Sequence, residues 1–437
     1  LYDVLDRTDG IEPVLVTSEV AGAFLADGVS RSSDSVGVIN VVPGAGVTHS
    51  LSGIAETFMD NVPLVVLACG IRSDTGSAYQ LHAIDQLAVL RPGTKEAIRV
   101  ERAQDLYPTI RRAFEIARRG APGPVAVEIP ADFLMLRQDL REPTFEPDPD
   151  PTLDPDPELV EKAAALLAKA DRPAMYLGAG AAGASDLLVV LAEQLGTPVT
   201  TTIHGKGVFP ESHQLWLWNG FGAQSPKFVR SIMDRCDCLL AIGCRFSEVG
   251  TASYGIKPPA NLIHVDIDPE VFNRNFPAAV TIPADARRFV EELAKLFMGR
   301  RPWGVLAEET LRGHLDVLRK WRGEASTSRV SPHALFSALQ SHCKSDTIFA
   351  TDSGNGTFLA MEHLRLEAPK NFLAPTEFSC MGYSVPAAIG ACFAVKWPTP
   401  STAPWRPWMA RVNRWRRTTC RSTFRADGTR RPPEGSQ

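Results

Sequence analysis

The chain has 437 residues and a formal net charge of −4, with 44% hydrophobic and 22% charged side chains, which is room for two to three domains, each with its own core. It contains no run of eighteen apolar residues and opens with no secretion-signal pattern, so neither a membrane partner nor export is expected and the cytoplasm is the expected compartment. The acidic body argues against nucleic acid as a partner, and the eight scattered Cys form neither a CxxC pair nor a disulfide framework.

In chain order, Leu1-Tyr2-Asp3-Val4-Leu5 reads as the middle of a helix whose start lies upstream. Residues 13–16 are expected as a strand, 19–31 as a helix, 36–42 as a strand running into the turn Pro43-Gly44-Ala45-Gly46, 50–59 as a helix and 63–68 as a strand. A helix over 106–119 and a strand over 125–129 close this first α/β series, a domain expected to span 1–140. Residues 141–157, dense in Pro, Asp and Glu, read as a linker that ends in the helix-start signal Asp156-Pro157.

A second series follows, expected to span 158–298: helices at 158–170, 184–195, 225–233 and 286–297, and strands at 174–177, 198–202, 238–242 and 262–267. Alternation of this kind predicts an open, parallel, Rossmann-like sheet. Residues 299–330 form a charged connector containing a helix. A third unit over 331–396 offers helices at 332–341, from 356, and at 384–394, with strands at 347–351 and 371–373. It ends early for a domain. Residues 397–437 hold nine Arg, no Lys, four of the eight Trp and two acids, without helical or strand period, and are expected to be an aberrant, frame-shifted or spliced terminus.

Three groups of residues could carry chemistry. Glu19 stands at the start of a helix whose next residues are small or apolar, so its carboxyl is expected to be desolvated and able to share a proton with a ring nitrogen; a first-turn Glu favoured by the helix dipole is the simpler alternative. Gly178-Ala179-Gly180-Ala181-Ala182-Gly183 is a GxGxxG between a strand and a helix, where backbone N–H groups can hold a diphosphate, although the same glycines would also serve close helix packing. Asp266, at the end of a later strand, could supply a ribose contact. His49, His82, His204 and His264 never fall at metal-ligand spacing, so no protein metal site is expected. No GxSxG or catalytic Cys pattern is present, and a cofactor is expected to supply the nucleophile.

Taken together, the segments resemble thiamine-diphosphate enzymes of the acetolactate synthase type from Leu1 to about Ala394. The resemblance rests on Thr17-Ser18-Glu19-Val20-Ala21-Gly22-Ala23-Phe24, Pro43-Gly44-Ala45-Gly46-Val47-Thr48, Gly205-Lys206-Gly207-Val208-Phe209-Pro210, Gly243-Cys244-Arg245-Phe246, Asp266-Ile267-Asp268-Pro269, Thr351-Asp352-Ser353-Gly354-Asn355-Gly356 and Met381-Gly382-Tyr383-Ser384. It implies a fold of three parallel-sheet, Rossmann-like α/β domains, the third incomplete here. It also implies that Glu19 passes a proton to the aminopyrimidine of thiamine diphosphate, which activates the thiazolium to attack a 2-oxo acid such as pyruvate. Gly44, Gly46, His49, Gly354, Asn355, Met381 and Gly382 would surround that cofactor, with Met381 as the bulky support that bends it.

The resemblance further implies FAD beside Gly178, Gly180, Gly183, Arg245 and Asp266, a homodimer or homotetramer, and a regulatory subunit as a partner. Three departures stand out. His49 replaces the family's Asn, and Leu81-His82 replaces a Phe-Gln pair, which makes His82 the candidate substrate contact and opens the alternative of a lyase cleaving 2-hydroxyacyl-CoA. A non-catalytic nucleotide-binding module is the further alternative. The Gly-Asp-Gly block of the family's magnesium site is absent, so magnesium would lack its protein carboxylate and the chain as written is expected to turn over little or nothing.

Overall fold

The computed structural model describes the chain apart from residues 1, 6, 10, 12, 138–144, 147–152, 298, 300, 324–327 and 396–437. The Arg- and Trp-rich stretch and most of the expected linker therefore lie outside the described residues. In the first α/β layer the elements are α1 (Tyr2–Leu5), α2 (Glu19–Ser32), β1 (Gly37–Val41), α3 (Ala45–Met59), β2 (Leu64–Cys69), α4 (Gln86–Leu90), β3 (Glu96–Arg99), α5 (Leu106–Arg118), β4 (Pro124–Ile129) and α6 (Ala131–Met135). The sheet order is β1-β2-β4-β3, all parallel. Its inner strands read Leu-Val-Val-Leu-Ala-Cys and Pro-Val-Ala-Val-Glu-Ile, near-continuous apolar runs because helices cover both faces.

The second layer comprises α7 (Pro157–Lys169), β5 (Pro173–Leu177), α8 (Ser185–Leu195), β6 (Val199–Thr201), β7 (Trp216–Asn219), α9 (Lys227–Met233), β8 (Cys238–Ile242), β9 (Asn261–Asp266), β10 (Val280–Pro283) and α10 (Ala286–Lys295). Its six strands run parallel in the order β10-β9-β8-β5-β6-β7, with β5 and β8 buried along their whole length. Asp156 caps α7 by accepting from the Glu158 amide at 2.9 Å, with Pro157 in the first turn. The long helix α11 (Gly304–Gly323) precedes a third group: α12 (Pro332–His342), β11 (Phe349–Ala350), α13 (Asn355–His363), β12 (Phe372–Leu373) and α14 (Ser384–Ala394). There only β11 and β12 pair, again in parallel. Among the described residues no helix is long and apolar enough to cross a membrane.

Several expectations need correction. Residues 13–16 are not a strand: Val14, Leu15 and Val16 are exposed and join no sheet. Helix α3 starts at Ala45 rather than at 50, because Gly44, at φ 60°, turns the chain as its N-cap and puts Gly46 inside the helix. Strands β3, β7 and β10 were not expected at all. Each is only four residues long and stands at a sheet edge, so a single neighbour defines it and too few residues are left to show a period. Helix α14 buries Ala387, Gly390 and Ala391 while Val385 and Ile389 stay exposed.

That burial is against α2. A Cβ on Gly390 would strike the Leu25 carbonyl, and one on Gly28 would strike the Ala387 carbonyl, so the two backbones touch where they cross. Tyr383, fully buried, packs edge-on to Phe24 at 5.4 Å and bonds its hydroxyl to Asp27 at 2.5 Å. A second junction joins the Gly205-Lys206-Gly207 turn to the segment after α13. The Lys206 ammonium donates to both Glu211 oxygens at 2.8 Å and to the Leu364 carbonyl at 2.9 Å, and all of this is buried. Burial pushes the Lys206 amine down to about 8 although Glu211 pulls it up.

Two outcomes follow from these contacts. Gly390→Ala should lower stability by about 1–3 kcal/mol because the helices must part, read as a lower urea midpoint. Lys206→Met should cost about 3–5 kcal/mol by stranding a buried carboxylate, and most of that loss should disappear in the double variant with Glu211→Leu; equal losses in single and double variants would show that the pair is not what Lys206 serves.

Candidate active site

Sequence places Glu19 in the first turn of α2, behind Ser18, whose backbone is extended. Its Oε2 lies 3.3 Å from His49 Nδ1, one turn into α3. Gly46 is required by Val42, since a Cβ there would stand 2.7 Å from a Val42 methyl, while its distance of 3.5 Å to Glu19 Oε1 would be ordinary contact. The expected desolvation is not found in the single chain, where the Glu19 side chain is 32% exposed and that of His49 is 74% exposed. Gly44 donates its amide to Gln86 Oε1 at 3.2 Å, and a Cβ on it would come within 2.7 Å of the His82 carbonyl. The loop after β2 is thereby seated on the turn after β1. His82, at φ 66°, takes a left-handed backbone there, and its side chain and that of Leu81 are exposed. Glu19, Gly44, Gly46, His49 and His82 thus gather at the C-terminal ends of β1 and β2, where open parallel sheets bind ligands.

The second group surrounds Met381. After β11 the chain turns through Asp352-Ser353-Gly354, with Gly354 at φ 122°, into α13, whose first residue is Asn355. Asp352 was not singled out from the sequence, yet it organises this region. Its carboxylate accepts from the amides of Ser353 (3.0 Å), Gly382 (2.8 Å) and Ser384 (3.0 Å) and from the Ser384 hydroxyl (3.0 Å). Burial works against its charge, but these donors prevail and hold the carboxyl below its ordinary range. Gly354 and Asn355 are exposed beside this turn and Met381 is 84% exposed. The contacts of Glu19 are with Gly46 and His49, those of the Met381 turn are with Asp352 and α3, and none of these joins Glu19 to Met381.

A third group lines a cleft of about 890 Å³ at the ends of β5, β8 and β9. Gly178, Gly180, Arg245 and Asp266 face it together with His204, Asp60, Thr376 and Glu377. Gly183 does not: it is exposed, and its carbonyl accepts from Arg287 at 2.8 Å. Part of the glycine pattern is explained by packing, since a Cβ on Gly178 or Gly180 would collide with Gly243 in the neighbouring turn. The Arg245 guanidinium reaches the Met59 carbonyl at 2.5 Å and Asn61 Oδ1 at 3.3 Å. Burial raises Asp266 to about 6, with the Asp268 amide and Arg245 acting in the opposite sense. His264 is a core side chain, its Nε2 2.8 Å from the Cys244 carbonyl, and burial lowers its pKa. His204, also without an assigned role in the sequence, has Nε2 3.1 Å from Asp60 Oδ2 and a contact with the Thr376 hydroxyl. Asp60, held by Arg31 at 2.6 Å as well, stays well below the usual carboxylate range despite its burial. Among the described residues no group of three His, Cys, Asp or Glu could hold a metal ion.

Family models match three segments: residues 1–89 as the N-terminal TPP binding domain of thiamine pyrophosphate enzymes, 160–293 as their central domain and 352–405 as their C-terminal TPP binding domain. The probable acetolactate synthase large subunit of Methanocaldococcus jannaschii is 32% identical over 409 residues, covering 89% of this chain and 68% of that protein. The acetolactate synthase large subunit of Haemophilus influenzae is 29% identical over 415 residues, covering 90% and 70%. Isozyme 3 of the Escherichia coli large subunit is 28% identical over 417 residues, covering 90% and 71%.

Asp266 sets a pH dependence that can be measured. Burial pushes it up to about 6, above the ordinary range of an aspartate carboxyl, so the neutral carboxyl is the form the fold tolerates. Its contribution is fully present below about pH 4 and is lost as pH rises through about 6. Asp266→Asn should therefore raise stability by about 1–3 kcal/mol at pH 8 and leave it unchanged near pH 3.5. Chemical unfolding at both pH values tests this, and an equal effect at the two would exclude ionisation as the cause.

Proposed function

Because the chain belongs to the thiamine pyrophosphate enzymes of the acetolactate synthase large-subunit type, we propose that it decarboxylates a 2-oxo acid such as pyruvate and joins the two-carbon unit to a second carbonyl, as a transferase of branched-chain amino acid biosynthesis in the cytoplasm. The observation that carries this reading is the Glu19–His49 pair beside the Gly44–Gly46 turn, at the ends of parallel strands, in a chain matched by all three family models. Thiamine diphosphate, when bound, supplies the carbanion and the electron sink on which decarboxylation depends.

The chain's own residues hold and move protons and orient the reactants. Glu19 would pass a proton to the pyrimidine ring, and His49, 3.3 Å away, would orient that carboxyl. Gly44 and Gly46 would border the pyrimidine ring, and Gly354, Asn355 and Gly382 would lie near the diphosphate or the pyrimidine. Met381 would support the cofactor, and His82 would face the acceptor substrate. Magnesium would balance the diphosphate, and no described residue is assigned to it. Gly178, Gly180, Arg245 and Asp266 offer a nucleotide such as FAD a cleft with an acid for the ribose and a cation for the phosphates; Gly183 has no part in it.

Glu19, His49 and Met381 are open to solvent in one chain, which supports a homodimer or homotetramer whose second subunit covers them; a regulatory subunit would add to that assembly. The domain plan that accords with these roles is 1–140 for the pyrimidine, 141–157 as linker, 158–298 for the nucleotide, 299–330 as connector and 331–396 for the diphosphate, followed by the tail at 397–437. A second reading, a carbon–carbon lyase acting on 2-hydroxyacyl thioesters, is favoured by Leu81-His82, a small aliphatic and a titratable ring at the presumed acceptor side.

Residues 1–394 grafted to a family-type magnesium-binding C-terminus and supplied with thiamine diphosphate and magnesium should release carbon dioxide from pyruvate and form acetolactate, whereas the chain as written should turn over little or nothing, and Glu19→Gln in the graft should reduce the rate by about 100-fold or more. Carbon dioxide release unaffected by Glu19→Gln would remove Glu19 from the mechanism. Cleavage of a 2-hydroxyacyl thioester without acetolactate formation would select the lyase, and no reaction with any 2-oxo acid or thioester would sink both.

A further inference from the structure

Met381 projects from a turn that is strained at both ends. Ser379 has φ 62° and Gly382 φ 83°, and a non-glycine residue in the left-handed region persists only where its neighbours hold it there. The holders are two carboxylates from distant parts of the chain. Immediately before Met381, the Cys380 amide donates to Glu56 Oε2 at 2.9 Å, across 324 residues of sequence, and the Cys380 thiol reaches the Ser52 carbonyl at 3.4 Å. Immediately after it, the Gly382 and Ser384 amides donate to the two oxygens of Asp352 at 2.8 and 3.0 Å. Ser353 and Ser379 close the turn with a hydroxyl contact of 2.7 Å.

Glu56 is an odd residue to find at this place. It lies in the interior of α3 with none of its surface exposed, where an apolar side chain would pack at no electrostatic cost. One of its oxygens serves Cys380, while Oε1, like Oδ1 of Asp60 one turn on, finds no other donor. Asp60 is the side chain within hydrogen-bonding reach of the Glu56 carboxyl. Burial first, and then Asp60, raise Glu56 to about 7, against the pull of the Cys380 amide and Arg31. The charged and titratable groups around it are Asp60 on its own helix, Asp27 and Arg31 on α2, His204 beyond Asp60, and Cys380 and Tyr383 from the third group.

We propose that Glu56 is a positioning residue for the cofactor support: with Asp352 it clamps the amides on either side of Met381 and so fixes the side chain that bears on thiamine diphosphate. The inference rests on the reading of Met381 given above. It adds a consequence for the site as a whole, because the helix that carries Glu56 also carries His49 in its second turn. Within one chain, the pyrimidine side and the support side are then set by the same rigid element.

Amide hydrogen exchange over residues 379–384 of the full chain, together with calorimetric titration with thiamine diphosphate and magnesium, tests the clamp. Glu56→Met, which keeps the bulk but accepts no hydrogen bond, should speed exchange of the Cys380 amide about tenfold and weaken thiamine diphosphate binding by about the same factor. Glu56→Gln should stay within about twofold of the parent in both, since its carbonyl can serve Cys380 and its amide Asp60. Asp352→Ala, at a half-exposed position, should speed exchange at Gly382 and Ser384 instead, and it tests the second jaw even if Glu56→Met proves too unstable to purify.

Unchanged Cys380 exchange in Glu56→Met, Glu56→Gln behaving like Glu56→Met, or unchanged Gly382 exchange in Asp352→Ala would each overturn the clamp. A loosened turn with unaltered thiamine diphosphate affinity would make Glu56 merely structural and overturn the positioning role. Met381→Ala separates the two claims: it should weaken cofactor binding without altering Cys380 exchange, and if binding is unaffected the reading of Met381 fails while the clamp itself stands.

Discussion

Direct contact between the backbones of α2 and α14 is the constraint on which the rest of the site depends. Helix α2 begins at Glu19, and α14 begins just after the Met381 turn. Where they cross, Gly28 faces the Ala387 carbonyl and Gly390 faces the Leu25 carbonyl, with no room for a Cβ on either glycine. Helices held at side-chain distance can slide and rotate by the freedom of those side chains, whereas helices in backbone contact have one seating. Tyr383, bonded to Asp27 and packed on Phe24, fixes α14 against α2 at its start. The result is a rigid frame from which the two loops bearing candidate chemistry extend.

Around this crossing, the junctions between layers are made by buried polar groups rather than by apolar surface alone. Arg31 links Asp27 to Asp60, Asp60 receives His204 from the second layer, and Lys206 closes on Glu211 and the Leu364 carbonyl. Such groups add little net stability, because desolvation takes back most of what their attraction gives. What they contribute is register: a misplaced apolar contact costs little, but a misplaced buried carboxylate is left without a donor. The aromatic stack extends the same arrangement along α11, with His314 lying 5.2 Å from Trp216 and nearly parallel to it, and Arg365 poised over both Trp216 and Trp218.

Glycine shows how one residue type answers different demands. Gly44 and Gly382 supply left-handed turns beside candidate ligand contacts, while Gly178 and Gly180 permit two strand-ending turns to touch. The GxGxxG pattern drew attention to a nucleotide site, and two of its glycines do line the cleft. Packing against Gly243 would require them there with or without a ligand, and Gly183 plays no part, so the cleft is identified by Asp266 and Arg245 more than by the glycine spacing.

The sequence alone determined the elements that are buried on both faces. Strands β2, β4, β5 and β8 are continuous apolar runs, and a helix such as α7 carries its own period and its cap, Asp156, so each announces itself locally. It also placed Glu19, His49 and the Met381 turn as candidates through motifs that are contiguous in the chain. Edge strands β3, β7 and β10 were not legible, because half of what makes them strands is a neighbour the chain supplies elsewhere. Residues 13–16 failed in the opposite sense, with β-type composition and no neighbour to pair with. Only the tertiary structure decided the roles of Asp352, Glu56, Asp60 and His204: each is an ordinary polar residue in sequence, and each acquires its task from partners that the fold brings across 29 to 324 residues. Pattern reading sees periodicity along the chain, and these effects arise from desolvation and hydrogen bonding between segments, which no local period encodes.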